Sequence, residues 1–203
     1  MTRQDLKVEE VKNQKDLMTF IRFPWEIYQG NRFWVPPLIK DLLLKFSPKH
    51  PFRSHAEMIL FLARREGKIV GRIAGIIDHH YIEFHQEKVG FFGFFESTPE
   101  AEVAEILFSR VAGWLKGHGL EKMAGPMNPS TNDECGLLIE GFDSSPCLMM
   151  PYNPSYYPSL LEGFGFKKEM DLYAYWLEQS SFLSDRLDRI MERTKKRSFQ
   201  SAG

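Results

Sequence analysis

A carboxylate beside a dense run of aromatic side chains is the first candidate for chemistry in this chain. Glu96 follows Phe91, Phe92, Phe94 and Phe95 in sequence. Aromatic surface excludes water, and burial beside it raises the pKa of a carboxyl group because its charged form is penalised. A carboxylate of raised pKa suits general-base chemistry, in which it takes a proton from an ammonium group. A charge placed at the beginning of a helix is the alternative interpretation of Glu96.

A polar loop at residues 126–135 is the second candidate. Asn128, Ser130, Thr131 and Asn132 place neutral hydrogen-bond donors and acceptors close together in sequence. Such groups can orient a polar substrate, and Asn128, Ser130 and Asn132 are the residues predicted to do so. The same groups can satisfy the backbone of a turn instead. Both interpretations are open from the sequence.

A cluster of histidine and acidic residues is a weaker candidate for a metal site. Asp78, His79, His80, Glu83 and His85 lie within eight positions of one another. On a strand, alternate side chains face opposite sides, so neither side gathers a tetrahedral ligand set. The sequence therefore predicts no metal and a solvated hairpin end at this place.

The elements that must position these residues follow from the apolar pattern. A period of two predicts strands at residues 58–65 and 69–78, with a turn between them. The run of phenylalanines predicts a further strand at residues 89–96 that is buried on both faces. An apolar stripe at helical spacing then predicts a long helix that ends at Gly117. A further strand is predicted at residues 120–125, directly before the polar loop.

The region before the first of these strands is rich in aromatic residues and prolines. Asn13 is predicted to cap a helix that ends before Pro24. Trp25 and Trp34 follow in an aromatic segment, and Pro36 and Pro37 are predicted to begin a second helix. These helices either cover the core or form a lid over an apolar binding groove.

Composition limits the class of protein. The chain has 203 residues, of which 43% are hydrophobic and 14% aromatic, so a folded core is expected. Its net charge of −1 argues against a general nucleic-acid binder. Cys135 and Cys147 are too few for a disulfide framework. No apolar run approaches the roughly 20 residues of a membrane span. The sequence predicts a soluble, cytoplasmic protein with no membrane partner.

The segment MPYNPSYYPSLLEGFGFKKEMDLYAYWLE, at residues 150–178, carries a resemblance to a known family. Its pattern predicts a short helix that ends at Gly163 and Gly165, followed by a strand. The strand would carry on one face Met170, Leu172, Ala174 and Trp176. This order of helix, Gly-Phe and strand resembles the closing part of the GNAT family of N-acetyltransferases. The resemblance implies an α+β fold with a mixed, mostly antiparallel sheet, one central parallel pair, and helices on both faces.

The same resemblance implies a reaction, the transfer of an acyl group from acetyl-CoA or another acyl-CoA to a small-molecule amine. In the family a glycine-rich loop after the fourth strand holds the CoA diphosphate. Residues 96–102 take that place here but contain no glycine, and Pro99 lacks an N–H group. Ser97 and Glu100 have the spacing of a capping box, which would occupy two more donors. The residues predicted to contact acyl-CoA are Phe94, Phe95, Ser97 and Thr98.

The resemblance also implies two catalytic residues. Glu96 matches the region where many family members have a glutamate base. The family's tyrosine, which protonates the leaving thiolate, corresponds in position to Leu161. Tyr157 lies one helical turn earlier on the same face and is predicted to substitute for it. A core tyrosine with its hydroxyl at the rim is the alternative interpretation of Tyr157.

The opening region resembles one uncharacterised bacterial family of GNAT-like proteins, in which a second GNAT-like half follows the first. The predicted organisation is a GNAT-like domain at residues 1–180, with an aromatic-rich helical insertion at about 14–50. A charged helix and tail at 181–203 would form a linker to a second half. The alternative function is a catalytically silent GNAT domain that binds a ligand, forms a homodimer or pairs with that second half.

Overall fold

A computed structural model of the chain describes residues 5–175. The charged helix predicted at 181–203 lies outside the described residues, as does Trp176 of the predicted closing strand. The chain divides between Lys167 and Lys168 into two units. Every helix and strand below belongs to the first unit.

The first unit is built on a mixed five-stranded sheet in the order β1-β2-β3-β4-β5. Neighbouring strands are antiparallel except for β4 and β5, which form the predicted parallel pair. In the part of the chain that the structure describes, this pair lies at one edge of the sheet and not at its centre. The strands are β1 (Leu6–Glu10), β2 (Ala56–Arg65), β3 (Lys68–Asp78), β4 (Val89–Ser97) and β5 (Lys122–Ala124).

Helices cover both faces of this sheet, as the fold class predicts. They are α1 (Gln14–Arg22), α2 (Pro24–Ile27), α3 (Ile39–Lys45), α4 (His79–His85), α5 (Ala101–Gly117) and α6 (Tyr157–Phe164). The predicted cap Asn13 accepts a hydrogen bond from the Asp16 N–H group and begins α1. A separate two-stranded ribbon consists of β6 (Met127–Asn128) and β7 (Glu134–Cys135).

The phenylalanine-rich strand β4 contributes to a core on each face. Phe92 and Phe95 pack in the cluster that α5 and α6 complete, where Phe95 stacks on Phe108 at 4.6 Å between ring centroids. Phe91 and Phe94 pack in the other cluster, which α1 and α3 complete. The predicted burial of this run on both faces is confirmed.

One extra residue in β4 sets the direction of every side chain after it. Arg72 of β3 pairs with Glu96, and Ala74 pairs with Gly93. Two residues of β4 therefore lie opposite the single residue Ile73, which is the arrangement of a β-bulge. A bulge bends its strand and shifts the alternation of side chains by one position.

The bulge explains why phenylalanines three positions apart in sequence face the same side of the sheet. Phe94 is one of the two residues opposite Ile73. It has a φ of 49°, in the left-handed region that non-glycine residues rarely adopt. As a result Phe91 and Phe94 share one face of the sheet, while Phe92 and Phe95 share the other. Glu96 then falls on the face that carries α1.

The chain after β5 crosses back onto β4. The parallel pairing of β4 with β5 covers residues 89–91 and 122–124. Beyond it the two strands separate, and β6 approaches the bulge. A Cβ atom at Gly93 would overlap the backbone carbonyl oxygen of Met127. Glycine at position 93 is therefore required for this close approach of two backbones.

Two predicted features differ from the structure. Gly165 ends α6 with a φ of 109°, as expected, but residues 166–175 form no strand. Met170 and Leu172 are exposed and cover no core face. The strand prediction is therefore wrong for the described part of that segment, because alternation alone does not supply a neighbouring strand.

The histidine segment joins the antiparallel strands β3 and β4, as a hairpin end does, but it forms the short helix α4. Asp78 caps it by accepting hydrogen bonds from the N–H groups of His80 and Tyr81. The same carboxylate oxygen also contacts His55 Nδ1 at 3.0 Å, so its hydrogen bonds are made within the protein. Within residues 5–175 no group of three or more potential ligands is placed to hold a metal ion.

Substitution of Gly93 tests the close approach of β6 to β4. We expect Gly93→Ala to lower the free energy of unfolding by about 3 kcal/mol, because overpacking forces the two backbones apart. Gly113→Ala is the matched control, since a Cβ there meets nothing within 4 Å. That variant should gain about 0.5–1 kcal/mol from helix propensity. Urea unfolding measures both, and equal stabilities would contradict the packing argument.

Candidate functional site

Glu96 lies buried near the end of β4, with 9% of its surface exposed. Its Oε2 atom accepts a hydrogen bond of 2.6 Å from the Tyr157 hydroxyl. Its Oε1 atom lies 3.7 Å from Nη2 of Arg72, an ion pair without a direct hydrogen bond. Burial raises the pKa of Glu96, and the positive charge of Arg72 opposes that rise. The predicted environment of the carboxylate is therefore present.

Arg72 is the buried counter-charge of this carboxylate. It is 5% exposed, and its Nη1 atom donates to the Phe20 carbonyl oxygen at 2.7 Å. The guanidinium carbon lies 4.9 Å from the centre of the Phe20 ring. Among residues 5–175, Nε of Arg72 is a buried atom without a hydrogen-bond partner. Burial lowers the pKa of Arg72 and the nearby Glu96 carboxylate opposes that fall.

Tyr157 joins α6 to the end of β4. It is 1% exposed. Its hydroxyl accepts a hydrogen bond of 2.9 Å from the Ser97 N–H group while it donates to Glu96. Burial first, and then the charge of Glu96, raises the pKa of Tyr157 well above its ordinary value. Both predicted catalytic residues thus meet in one hydrogen-bonded pair, and their catalytic roles stay predictions.

The outer edge of β4 is covered by side chains. The Phe94 N–H group donates to Oδ1 of Asn128 at 2.6 Å. The Ser97 carbonyl oxygen accepts from the Tyr156 hydroxyl at 2.7 Å, and Tyr157 occupies the Ser97 N–H group. The backbone groups along which acyl-CoA was predicted to lie are therefore bonded within the protein in this conformation.

The capping box predicted for α5 is wrong. Ser97 is the last residue of β4, and its hydroxyl donates to the Thr98 carbonyl oxygen at 2.8 Å. Glu100 is the residue that caps α5, and no side chain accepts a capping hydrogen bond there. Ser97 pairs with Gly71 of β3, so the strand continues to Ser97 and the spacing of Ser97 and Glu100 has no capping consequence.

The turn between β4 and α5 does not form a phosphate cradle. The Thr98 N–H group donates to the Val70 carbonyl oxygen at 3.0 Å, and its hydroxyl donates to the same oxygen at 3.1 Å. Pro99 has no N–H group, and Glu102 forms an ion pair with Arg65. The observed contacts agree with the absence of glycine from this turn.

Polar groups of the loop at residues 126–135 form hydrogen bonds with one another and with Lys45. The Ser130 hydroxyl donates to Asp133 at 2.8 Å and accepts from the Asn132 N–H group at 3.2 Å. Lys45 of α3 donates to the Asn128 carbonyl oxygen at 3.0 Å and to Asp133 at 2.8 Å. The turn interpretation describes these contacts. The substrate-binding roles of Asn128, Ser130 and Asn132 stay predictions.

Two buried residues of this site were missed by sequence reasoning. Arg72 interrupts an otherwise apolar strand, and a charge between buried neighbours is the signal that could have found it. Tyr28 carries no comparable signal, since it lies in an aromatic segment. Burial and then the charge of Glu96 raise the pKa of Tyr28, whose hydroxyl donates to the Tyr152 carbonyl oxygen at 3.1 Å. Its ring stacks on Trp34 at 4.7 Å.

Two curated proteins resemble this chain in sequence, although no family model matches it. Protein YghO of Escherichia coli K12 is 36% identical over 186 residues, which are 91% of this chain and 48% of that protein. A bacterial ceramide synthase of Caulobacter vibrioides is 34% identical over 194 residues, or 95% of this chain and 50% of that protein. The chain therefore spans about half the length of these relatives.

Solved structures identify the fold. An aminoglycoside acetyltransferase from a soil metagenomic sample covers 87% of this chain with a TM-score of 0.52 and 14% identity. Aminoglycoside N-acetyltransferase AAC(6')-Iy, solved with a bisubstrate analogue of CoA, covers 85% with a TM-score of 0.53 and 15% identity. The chain has the GNAT fold. In the described part of this GNAT chain, no helix combines the length and apolarity needed to cross a membrane.

Removal of the charged pair tests how Arg72 acts on Glu96. We expect Arg72→Met to lower the free energy of unfolding by about 3–5 kcal/mol at pH 8, because it leaves a buried carboxylate without its counter-charge. The double variant with Glu96→Gln should recover most of that loss, since both charges are then absent. Urea unfolding of the two single variants and the double variant gives the coupling. Additive losses would show that the two residues do not interact.

The raised pKa of Glu96 also predicts a pH dependence of stability. The folded state holds this proton more tightly than the unfolded state, where the carboxyl has its ordinary pKa of 4.5. The stabilisation is therefore complete below about pH 4.5 and is lost as the pH rises through the folded pKa. The difference in unfolding free energy between the wild type and Glu96→Gln should fall with rising pH. A difference that rises with pH would mean a lowered pKa.

Proposed function

We propose that this chain belongs to an N-acyltransferase that moves a fatty acyl group from an acyl-CoA to the amine of a long-chain amino alcohol. The product would be a ceramide-type amide. The observation that carries the proposal is the 34% identity, over 95% of the chain, to a bacterial ceramide synthase. The GNAT fold supports it, since solved proteins of similar fold are acetyltransferases. Because the chain spans half of that relative, the proposal concerns the protein of that length.

The buried pair at the end of β4 suits both proton transfers of this reaction. The amine nitrogen bonds to the thioester carbonyl carbon, the carbon–sulfur bond breaks, and CoA leaves as a thiolate. Glu96 would take the proton that the amine loses, since its raised pKa makes it a stronger base than an exposed carboxylate. Tyr157 would supply a proton to the thiolate and regain one from Glu96, to which it is already hydrogen-bonded.

Exposed apolar side chains support a lipid-like substrate. Val35, Leu38 and Leu44 are all more than half exposed, as are Leu148 and Met149. A long-chain acyl group or amine would gain by covering such side chains. The proposed donor also agrees with the predicted cytoplasmic location, where acyl-CoA is made and where thiols such as Cys135 and Cys147 stay reduced.

A second candidate is a catalytically silent GNAT domain that binds a ligand or pairs with another GNAT-like half or a second copy. The observation that favours it is the covered edge of β4, where Asn128, Tyr156 and Tyr157 occupy the Phe94 and Ser97 backbone groups. The absence of a glycine-rich loop after β4 favours it too. In that case acyl-CoA would bind elsewhere in the longer protein, and Glu96 and Tyr157 would serve stability alone.

Amide formation from palmitoyl-CoA and a sphingoid base separates the two candidates. We expect the purified protein, at the length of its relatives, to release CoA and form the amide. Glu96→Gln should lower kcat by about 10²–10⁴-fold through loss of the general base. Glu83→Gln, which removes an exposed carboxylate of α4, should leave the rate unchanged. Full activity of Glu96→Gln would remove this pair from the reaction and favour the silent domain.

A further inference from the structure

The N–H group of Phe94 points away from the sheet. The bulge places Phe94 in a left-handed conformation, outside the ladder of paired residues that joins β3 to β4. Its N–H group is directed instead to the side where β4 and β5 have separated. A buried N–H group requires an acceptor, and the bulge thus creates a donor that must be satisfied from outside the strand.

The acceptor is a carbonyl group, the side-chain amide of Asn128. Its Oδ1 atom lies 2.6 Å from the Phe94 nitrogen, slightly shorter than the usual range of about 2.7–3.2 Å for such bonds. The Asn128 Nδ2 atom contacts Glu134 at 3.4 Å. An amide carbonyl and a thioester carbonyl present the same kind of oxygen to an N–H donor. A thioester placed along residues 94–97 would therefore compete with Asn128 for this donor.

Lys45 of α3 holds the backbone of Asn128 in place. Its ammonium group binds the Asn128 backbone oxygen at 3.0 Å and Asp133 at 2.8 Å. These contacts hold the strand β6 against the bulge, where Gly93 gives it room. Asn128 is only partly buried and belongs to neither core cluster, so its side chain can leave the Phe94 N–H group without disrupting the core.

We propose that Asn128 is an internal competitor that occupies the carbonyl-binding donor of Phe94 and is displaced when a thioester carbonyl binds there. This inference rests on the proposed function, since it supposes that acyl-CoA binds along β4. The covered edge of β4 is compatible with that function, because binding exchanges the Asn128 carbonyl for the thioester carbonyl as the acceptor of the Phe94 N–H group. The protein keeps its donor satisfied when acyl-CoA is absent.

The test compares Asn128→Ala with the wild type in binding to two probes. The probes are palmitoyl-CoA and its thioether analogue, hexadecyl-CoA, which lacks the carbonyl oxygen. Freed from its competitor, the Phe94 N–H group should bind palmitoyl-CoA about 3- to 10-fold more tightly in the variant. The affinity for hexadecyl-CoA should not change. Isothermal titration of the purified protein with each probe measures both values.

A conservative variant distinguishes the effect of the Asn128 Oδ1 acceptor from that of the rest of the loop. Asn128→Asp keeps an acceptor for the Phe94 N–H group, so it should bind palmitoyl-CoA no more tightly than the wild type. If Asn128→Ala does not fold, Lys45→Met carries the test, because it removes the contact that holds the Asn128 backbone and so weakens the bond of Asn128 Oδ1 to the Phe94 N–H group. It should give a gain in the same direction and again for the thioester alone.

The outcomes distinguish this inference from the function on which it rests. Equal gains for both probes would show a loosened loop and would overturn the inference, as would equal affinity of variant and wild type for palmitoyl-CoA. Either result leaves acyl-CoA binding itself intact. Failure of every protein to bind either probe would overturn the inference together with the proposed function.

Discussion

The extra residue in β4 is the constraint on which the rest of this structure depends. Without it, Phe92 and Phe94 would share a face, and Glu96 would fall among the side chains that face α5. With it, the strand supplies one pair of phenylalanines to each core and places Glu96 opposite Arg72. The cost is a non-glycine residue with positive φ, of order 1–3 kcal/mol, which the packing of Phe94 must offset. Strain of this kind is common where a fold positions functional groups.

The buried charges of Arg72 and Glu96 form few hydrogen bonds. Arg72 is held by the Phe20 carbonyl oxygen and approaches Glu96 without a direct bond, while its Nε atom has no partner among the described residues. Such a pair contributes little to stability, since desolvation of both ions offsets their attraction. A protein gains little by keeping such a pair for stability alone, and this is the physical reason to connect Glu96 with chemistry.

The covered edge of β4 links the two candidate functions. Three side chains from outside the sheet satisfy the donors and acceptor that the separation of β4 and β5 leaves open. A domain that had lost its ligand would need such contacts permanently, and a domain that binds one would need them only when empty. The two functions therefore differ in whether a ligand can displace Asn128 and the two tyrosines from the edge of β4.

Sequence patterns predicted the long strands, the helix α5 and the composition of the core, whereas α4 and the ribbon of β6 and β7 were not predicted. Alternation along β2 and β3 and the apolar stripe of α5 predicted those elements because burial of apolar surface is a local property of the pattern. The closing motif around Gly165 predicted the end of α6 and, through resemblance, the fold. Alternation at Met170 and Leu172 failed, because a strand also requires a partner that the described chain does not supply.

The site depended on tertiary structure. Glu96 and Tyr157 were found in the sequence as separate residues, but their hydrogen bond joins positions 61 apart and follows from the bulge and the placement of α6. Arg72 was signalled only by its charge among apolar neighbours, and nothing in the sequence revealed the use of Asn128 as an acceptor for Phe94. A capping box was predicted where the strand in fact continues, since Ser97 pairs with Gly71 of β3. Local patterns determined which segments form strands and helices; long-range contacts decided which polar groups meet, because a buried donor takes whichever acceptor the fold brings to it.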